Sequence, residues 1–354
     1  MKIESNHDEH LLFKDNYKKY THIKSHLIYG NEPPYGYLIS VFIPTYRRAN
    51  TLKQAIDSAF AQTNTSPFFI VVVDNDSDTD LATDMLMQKY CSKFNNITYY
   101  RNEQNIGMFG NWNRCIELCP SKWICILHDD DMLMPDYLLK IVPILERENC
   151  DVLTSFSKLM QQHGNTYIET HKMKILNFLK YIIAFLSFNR IFHIRITDVC
   201  NGIGNNSTGC VYKTSSLKLY GGFDDEYFPS SDFLMYGILC ALGTVVLLPK
   251  LMSIRGVGQN EMLKPECIFS LIVEDNRIFK IFNKLTANNL DKFRKLYIVT
   301  LLRSYRNKYN RSELIPISEE FDLLPYSSYP NLFFSYSQFH SWLRIILGFH
   351  SIKH

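Results

Sequence analysis

The run Ile126-Leu127-His128-Asp129-Asp130-Asp131 leaves an apolar stretch and ends in three consecutive carboxylates. Crowding three like charges at a strand end is costly unless a cation compensates them. Hard oxygen ligands suit Mg2+ or Mn2+, and Mg2+ characteristically joins one or two carboxylates to substrate phosphates. The chemistry on offer is the handling of a phosphorylated substrate through a metal. A solvated acidic turn is the plain alternative for the same residues.

The flanking sequence says what must position this run. Residues 37–43 form a short apolar run closed by Pro44, a buried strand. Leu52, Ala55, Ile56, Ala59 and Phe60 then repeat at helical spacing behind an Asn50-Thr51 cap. Residues 68–73 are β-branched and aromatic throughout, as in a strand covered on both faces. A polar loop, Asp74-Asn75-Asp76-Ser77-Asp78, follows. Helices are expected over 81–93 and around Trp112, Cys115, Ile116 and Cys119, with strands at 97–100 and 123–127. Such alternation with short connections implies parallel βαβ units. Ligands then bind beyond the carboxyl ends of the strands. Three polar loops meet there: Thr45-Tyr46-Arg47-Arg48, Asp74 to Asp78, and His128 to Asp131. Carboxylate-rich strand ends hold phosphate through a metal rather than directly.

Beyond residue 150 the pattern loosens. Residues 172–195 are apolar but carry Lys174, Lys180, Arg190, His193 and Arg195. They are expected to form one or two core helices, with a basic helix lying on anionic lipid as the competing reading. Residues 342–347, followed by Lys353, have the same character. Strands are expected at 208–213 and 245–248, the latter ending at Pro249. Helices are expected from Ser231 through Leu242, over 268–282 and over 290–305.

The chain has 354 residues, 46% hydrophobic and 21% charged, enough for a sizeable globular core. A formal net charge of +3 gives no reason to expect nucleic acid as a partner. Nine cysteines without a CxxC pair read as reduced core residues of a cytoplasmic protein. The polar residues 1–36, broken at Pro33-Pro34, lack a signal-peptide core and read as a loosely attached extension. No run of apolar residues is long enough to span a bilayer.

Taken in order, these residues resemble glycosyltransferase family 2, the GT-A fold enzymes. Val41 to Arg48 resembles its opening strand and turn, with Arg47 where the family usually has Asn. Val72 to Ser77 resembles its second nucleotide-binding loop, with Asn75 where Asp is commoner. Arg101-Asn102-Glu103-Gln104-Asn105-Ile106-Gly107 resembles the element before its third helix. Leu127 to Asp131 resembles its metal motif. Gly221-Gly222-Phe223-Asp224, then Ser231-Asp232, resembles its acceptor segment. The similarity covers residues 37–260, flanked by an extension over 1–36 and a helical region over 261–354.

The resemblance implies an α/β GT-A fold with a nucleotide-binding, Rossmann-like, mostly parallel sheet and a helical C-terminal extension. It implies transfer of a sugar from a nucleoside diphosphate, UDP favoured, with inversion and with Mn2+ or Mg2+. The acceptor would be a glycan or lipid-linked glycan. Cytoplasmic placement rests on the cysteines, and peripheral membrane contact is the competing reading of the basic apolar segments. Pro44, Thr45, Tyr46, Arg48, Asp74, Asn75, Arg101, Asn105 and Gly107 would line the donor site, Asp74 and Asn75 at the pyrimidine edge. Asp129 would face the ribose, Asp130 and Asp131 the metal, and Arg255 the leaving diphosphate. His128, where Asp is common, is expected to pack and hydrogen-bond rather than ligate. Asp232 is the expected general base, with Asp224 and Asp225 as rivals. Two other functions compete: a nucleotide-sugar-binding scaffold without catalysis, and a nucleotidyltransferase. The latter would need a glycine-rich triphosphate loop, which the sequence lacks.

Overall fold

Strands of residues that are apolar at every position need cover on both faces, and the first half of the chain supplies it. The structure, a computed structural model, describes residues 14–309 apart from 64–65, 79, 165, 189, 205–206, 258–264 and 287–288. β1 (Ser25–Tyr29) is a half-exposed edge strand. β2 (Ile39–Thr45) is buried throughout; α1 (Ala49–Phe60) follows, burying Leu52, Ala55, Ile56 and Ala59. β3 (Phe69–Asp74) is likewise fully buried. α2 (Leu81–Lys93), β4 (Ile97–Asn102), α3 (Gly107–Leu118) and β5 (Trp123–Ile126) complete the alternation. β4, β3, β2 and β5 lie side by side and parallel, so their carboxyl ends open on one edge.

The second half adds β6 (Asp131–Leu133), α4 (Tyr137–Arg147), β7 (Val152–His163), β8 (Thr166–Ile168), α5 (His171–Leu186) and β9 (Phe192–His193). α6 (Ile196–Cys200), β10 (Cys210–Lys213), α7 (Thr214–Leu219), α8 (Ser231–Leu242) and β11 (Val245–Val257) follow, then α9 (Pro265–Thr286) and α10 (Asp291–Tyr309). One mixed sheet runs β1-β4-β3-β2-β5-β10-β7-β11-β6, with β8 on β7 and β9 on β11. One core layer contains Phe109, Trp112, Phe223, Phe233, Phe279 and Phe282. The other contains Leu52, Ile56, Met87, Tyr137, Leu138 and Ile141. Each such side chain contributes about 1.5–3 kcal/mol on burial. α9 approaches α8 closely at Gly237, where a Cβ would lie 1.9 Å from Phe282 Cζ.

Three sequence expectations change here. Residues 14–36 are tied into the body: β1 pairs antiparallel with β4, and Asn16 N–H donates to the Gly221 carbonyl. The edge strand is half-exposed and so lacks the apolar signature of its neighbours. β11 does not stop at Pro249. It bends through irregular register at residues 248–253 and continues to Val257. Proline is tolerated at such a break because no ladder hydrogen bond is lost. Residues 172–195 are not core helices: α5 leaves most of its apolar side chains in solvent. Residues 342–353 lie outside the described residues.

Candidate active site

The strand ends bring the acidic run against the first loop. Thr45, last residue of β2, donates its hydroxyl to Asp129 Oδ2 at 2.8 Å. Arg48 donates from Nη1 to Asp129 Oδ1 at 3.3 Å and to Asp130 Oδ2 at 3.4 Å. Pro44 is buried within β2, whereas Tyr46 is exposed beside the Arg47 guanidinium. Arg47 itself sits at φ 53°, the left-handed region that Asn tolerates better than Arg. A bidentate pair with Asp76, at 2.8 and 3.1 Å, holds it there. An open cleft of about 380 Å3 borders Arg47, Arg48, Asn50, Asp130 and Gln162.

Asp131 opens β6 and is anchored at both oxygens. Oδ2 accepts from Thr208 at 2.6 Å and lies 3.3 Å from His128 Nδ1; Oδ1 accepts from the Gly256 N–H at 3.0 Å. Glycine is needed at 256: a Cβ there would meet the Asp130 carbonyl oxygen at 2.6 Å. His128 packs and pairs within the acidic cluster. Stacked on Trp112, it places one ligand atom within 4.8 Å of those of Asp130 and Asp131. Burial, then Asp131 and Asp129, push the Asp130 carboxyl up to about 6. A carboxylate held that way gains from a cation, and oxygen donors with one imidazole fit Mn2+ and admit Mg2+. Residues and metal therefore match.

Arg255 pairs in register with Asp131 across β11 and β6. Asp232 lies in the first turn of α8, half-buried, with Oδ1 accepting the Phe233 N–H at 2.8 Å. Burial raises its pKa, while nearby His128 and Arg255 hold the rise back. The rival carboxylates are committed elsewhere. Asp224 is buried against Lys14, and Asp225 pairs with Lys19 and Tyr20. Sequence reasoning missed three neighbours. Asp275 of α9 is buried, accepts from Tyr297 at 2.9 Å, and is pushed by burial up to about 7, with Asp232 contributing. The Tyr167 hydroxyl donates to the Asp130 carbonyl at 2.9 Å. Gln162 is 1% exposed with Oε1 unpartnered. No local signal marks them; the β7–β8 hairpin and α9 deliver them from afar in sequence.

The second expected group is tied together by internal hydrogen bonds. Asp74 is 1% exposed and accepts from the Tyr99 hydroxyl at 2.6 Å and the Asp76 N–H at 3.1 Å. Arg101 reaches Tyr99 and Asp84. Asn75 donates to Asn105 Oδ1 (2.8 Å) and the Gly107 carbonyl (3.1 Å), and accepts from Asn102 (3.0 Å) and the Ile106 N–H (3.0 Å). An amide offers two donors and two lone pairs, so all four positions are taken. Asn75 is therefore a brace beneath the loops, and the buried Asp74 carboxylate lies beside it with acceptor capacity to spare. Asn75→Ala should strip several buried partners and cost about 2–3 kcal/mol, read as a lowered midpoint in urea. An unchanged midpoint would mean that the brace contributes nothing.

The sequence profile described as glycosyl transferase family 2 matches residues 40–211, which hold the donor-side loops and the whole acidic run. Residues 40–211 belong to glycosyltransferase family 2. An uncharacterised glycosyltransferase of Methanocaldococcus jannaschii is 30% identical over 148 residues, 41% of this chain and 50% of that one. One from Rickettsia prowazekii is 32% identical over 120 residues, 34% of this chain and 36% of its own. The chain thus spans half or less of the length of these family relatives. The crystal structure of S. aureus TarS in complex with UDP-GlcNAc superposes with a TM-score of 0.54 at 15% identity, covering 88% of this chain and 82% of that one. The mannosyltransferase PcManGT from Pyrobaculum calidifontis, in complex with GDP-Man and Mn2+, gives 0.52 at 13% identity, covering 94% and 91%. The fold is the GT-A fold of these structures: a mixed α/β sheet with flanking helices and a helical C-terminal region.

Proposed function

We propose that this chain is a metal-dependent, inverting glycosyltransferase. It moves a sugar from a nucleoside-diphosphate donor to a hydroxyl of a glycan or lipid-linked glycan, as in bacterial surface polysaccharides. The observation that carries this reading is the Asp129–Asp130 pair, braced by Thr45 and Arg48, with Asp232 grouped with His128 and Arg255 beside it. Residues 37–260 form the transferase body, and α9 and α10 follow it as a helical region. UDP is the favoured nucleotide. With the Asn75 amide committed to the brace, the exposed Tyr46 ring offers the base a stacking surface and Asp74 a carboxylate edge.

Asp130, Asp131 and His128 would hold a divalent cation, which when bound supplies Lewis-acid stabilisation to the departing diphosphate. The chain's own residues do the rest. Thr45 and Arg48 fix the Asp129 carboxylate, so the site is organised before the donor arrives. Arg255 offers a guanidinium to the leaving phosphates. Asp232 takes the proton from the acceptor hydroxyl as that oxygen attacks the anomeric carbon. Its raised pKa makes it a better base than a solvated carboxylate. Among the described residues, one candidate base and no side chain placed as a nucleophile agree with one displacement and inversion. The test is a donor panel mixed with candidate acceptor glycans. Glycan product that requires a divalent cation supports the reading; tight donor binding without product overturns it in favour of a binding protein.

A further inference from the structure

α5 is amphipathic in the reverse sense. Its sheet-facing side is anchored by polar groups, with Ile183 alongside them against the core. Asn177 is buried; it accepts from the Leu159 N–H and donates to the Leu159 carbonyl, both at 2.9 Å, and to Glu169 at 2.7 Å. One turn on, Lys180 donates to the Ser157 carbonyl at 2.7 Å, and Ser187 is buried at the helix end. These contacts bind α5 to β7, next to β11, and fix its rotation. The opposite side is apolar and solvent-facing. Phe178 and Tyr181 are each 62% exposed, Phe185 70%, and Phe188 in the following turn 73%, with Ile175 and Leu179 between them. Most helices of folded domains do the opposite, turning their apolar stripe to the core. A contiguous apolar patch of this kind marks an interaction site.

Charge says what covers it. Residues 171–195 contain Lys172, Lys174, Lys180, Arg190 and Arg195 and neither Asp nor Glu. Lys172 and Lys174 are exposed at the helix start, and Arg190 is exposed just past its end, so basic groups rim the apolar patch. A second copy docked through the same face would oppose like charges across a two-fold axis. Anionic lipid neutralises them, and Phe and Tyr suit the headgroup layer. No helix among the described residues is long and apolar enough to cross a membrane, so the contact is with a surface. α5 also packs on β11, which carries Arg255, and Lys180 lies near enough for Arg255, after burial, to lower its pKa to about 8.

We propose that α5 and its following turn seat this chain on an anionic lipid surface, apolar side chains in the headgroup layer and Lys172, Lys174 and Arg190 at the phosphates. This rests on the transferase reading only for its purpose, which is to bring a lipid-linked acceptor beside the Arg255 side of the site. The probe is a vesicle of phosphatidylcholine with phosphatidylglycerol, set against phosphatidylcholine alone, and the readout is sedimentation of the full chain. Wild type should pellet with the anionic vesicles and be released by high salt. Lys172→Glu/Lys174→Glu should weaken binding by about 30-fold or more, the equivalent of about 1 kcal/mol for each basic side chain. Phe178→Glu/Phe185→Glu should abolish it. Thermal unfolding with and without nucleotide and metal, on the same samples, should be unchanged in both variants, so loss of docking and loss of donor binding are read separately. Four results would overturn the proposal: wild type left in the supernatant with both vesicles, variants that pellet like wild type, a wild-type dimer that the variants dissociate, or a fall in melting temperature showing the face to be covered by the chain itself.

Discussion

Asp130→Ala is expected to lower turnover by roughly 100- to 1000-fold, the effect of losing one electrostatic stabiliser of a developing charge, about 3–4 kcal/mol. Asp130 is the member of the acidic run with the least internal compensation. Thr45 and Arg48 serve Asp129, and Thr208, Gly256 and His128 serve Asp131. Asp130 receives one long hydrogen bond from Arg48, at 3.4 Å. Its removal would take away a proposed metal ligand without cutting the ties that hold the loop, so folding should survive. The check is initial rate at saturating Mn2+ together with a thermal melt. Full activity of wild type in chelator would remove the basis of the prediction, and so would an Asp130→Ala enzyme that works normally.

Asp232→Asn should reduce turnover by roughly 100-fold or more while leaving donor binding in place. The amide keeps the shape and accepts the same Phe233 N–H, but it cannot take a proton. The pH profile provides a second readout. Burial raises the Asp232 pKa, so its base form is lost as pH falls through a value above that of an ordinary aspartate. The acid limb of wild-type turnover should therefore lie at higher pH than a solvated carboxylate would give, and the variant should lack that limb. If Asp224→Asn or Asp225→Asn abolished turnover and Asp232→Asn did not, the base would be misassigned. The structure argues against that outcome, because Lys14 pairs with one oxygen of Asp224 and Lys19 and Tyr20 hold Asp225.

How much of this was legible in the sequence depended on where the deciding contact lay. β2 and β3 were plain because two-sided burial writes an unbroken apolar run. The acidic run announced itself because three adjacent carboxylates need compensation. β1 was hidden because an edge strand is half-wet and carries no run. β11 was cut short at Pro249, since the break in its register depends on β7 and not on its own residues. Asn75 illustrates the same limit at a side chain. Its position in a strand-end loop suggested a ligand, but its four partners come from residues 102–107, and only the fold brings them there. The composition of α5 alone points to a core helix. Asn177 and Lys180 reverse that, because their hydrogen bonds to β7 turn the polar side inward.

The central claim, that the acidic run and a divalent cation together hold a nucleoside-diphosphate donor, is tested most directly by thermal unfolding of the full chain with UDP or UDP-sugars and Mn2+. A ligand that binds only the folded state at about 100 times its Kd adds about 2.7 kcal/mol and raises the melting temperature. The expected result is a clear rise when nucleotide and metal are present together, a small one with either alone, and none in chelator or in Asp130→Ala. No rise with any nucleoside diphosphate, or the same rise in chelator, would contradict the account.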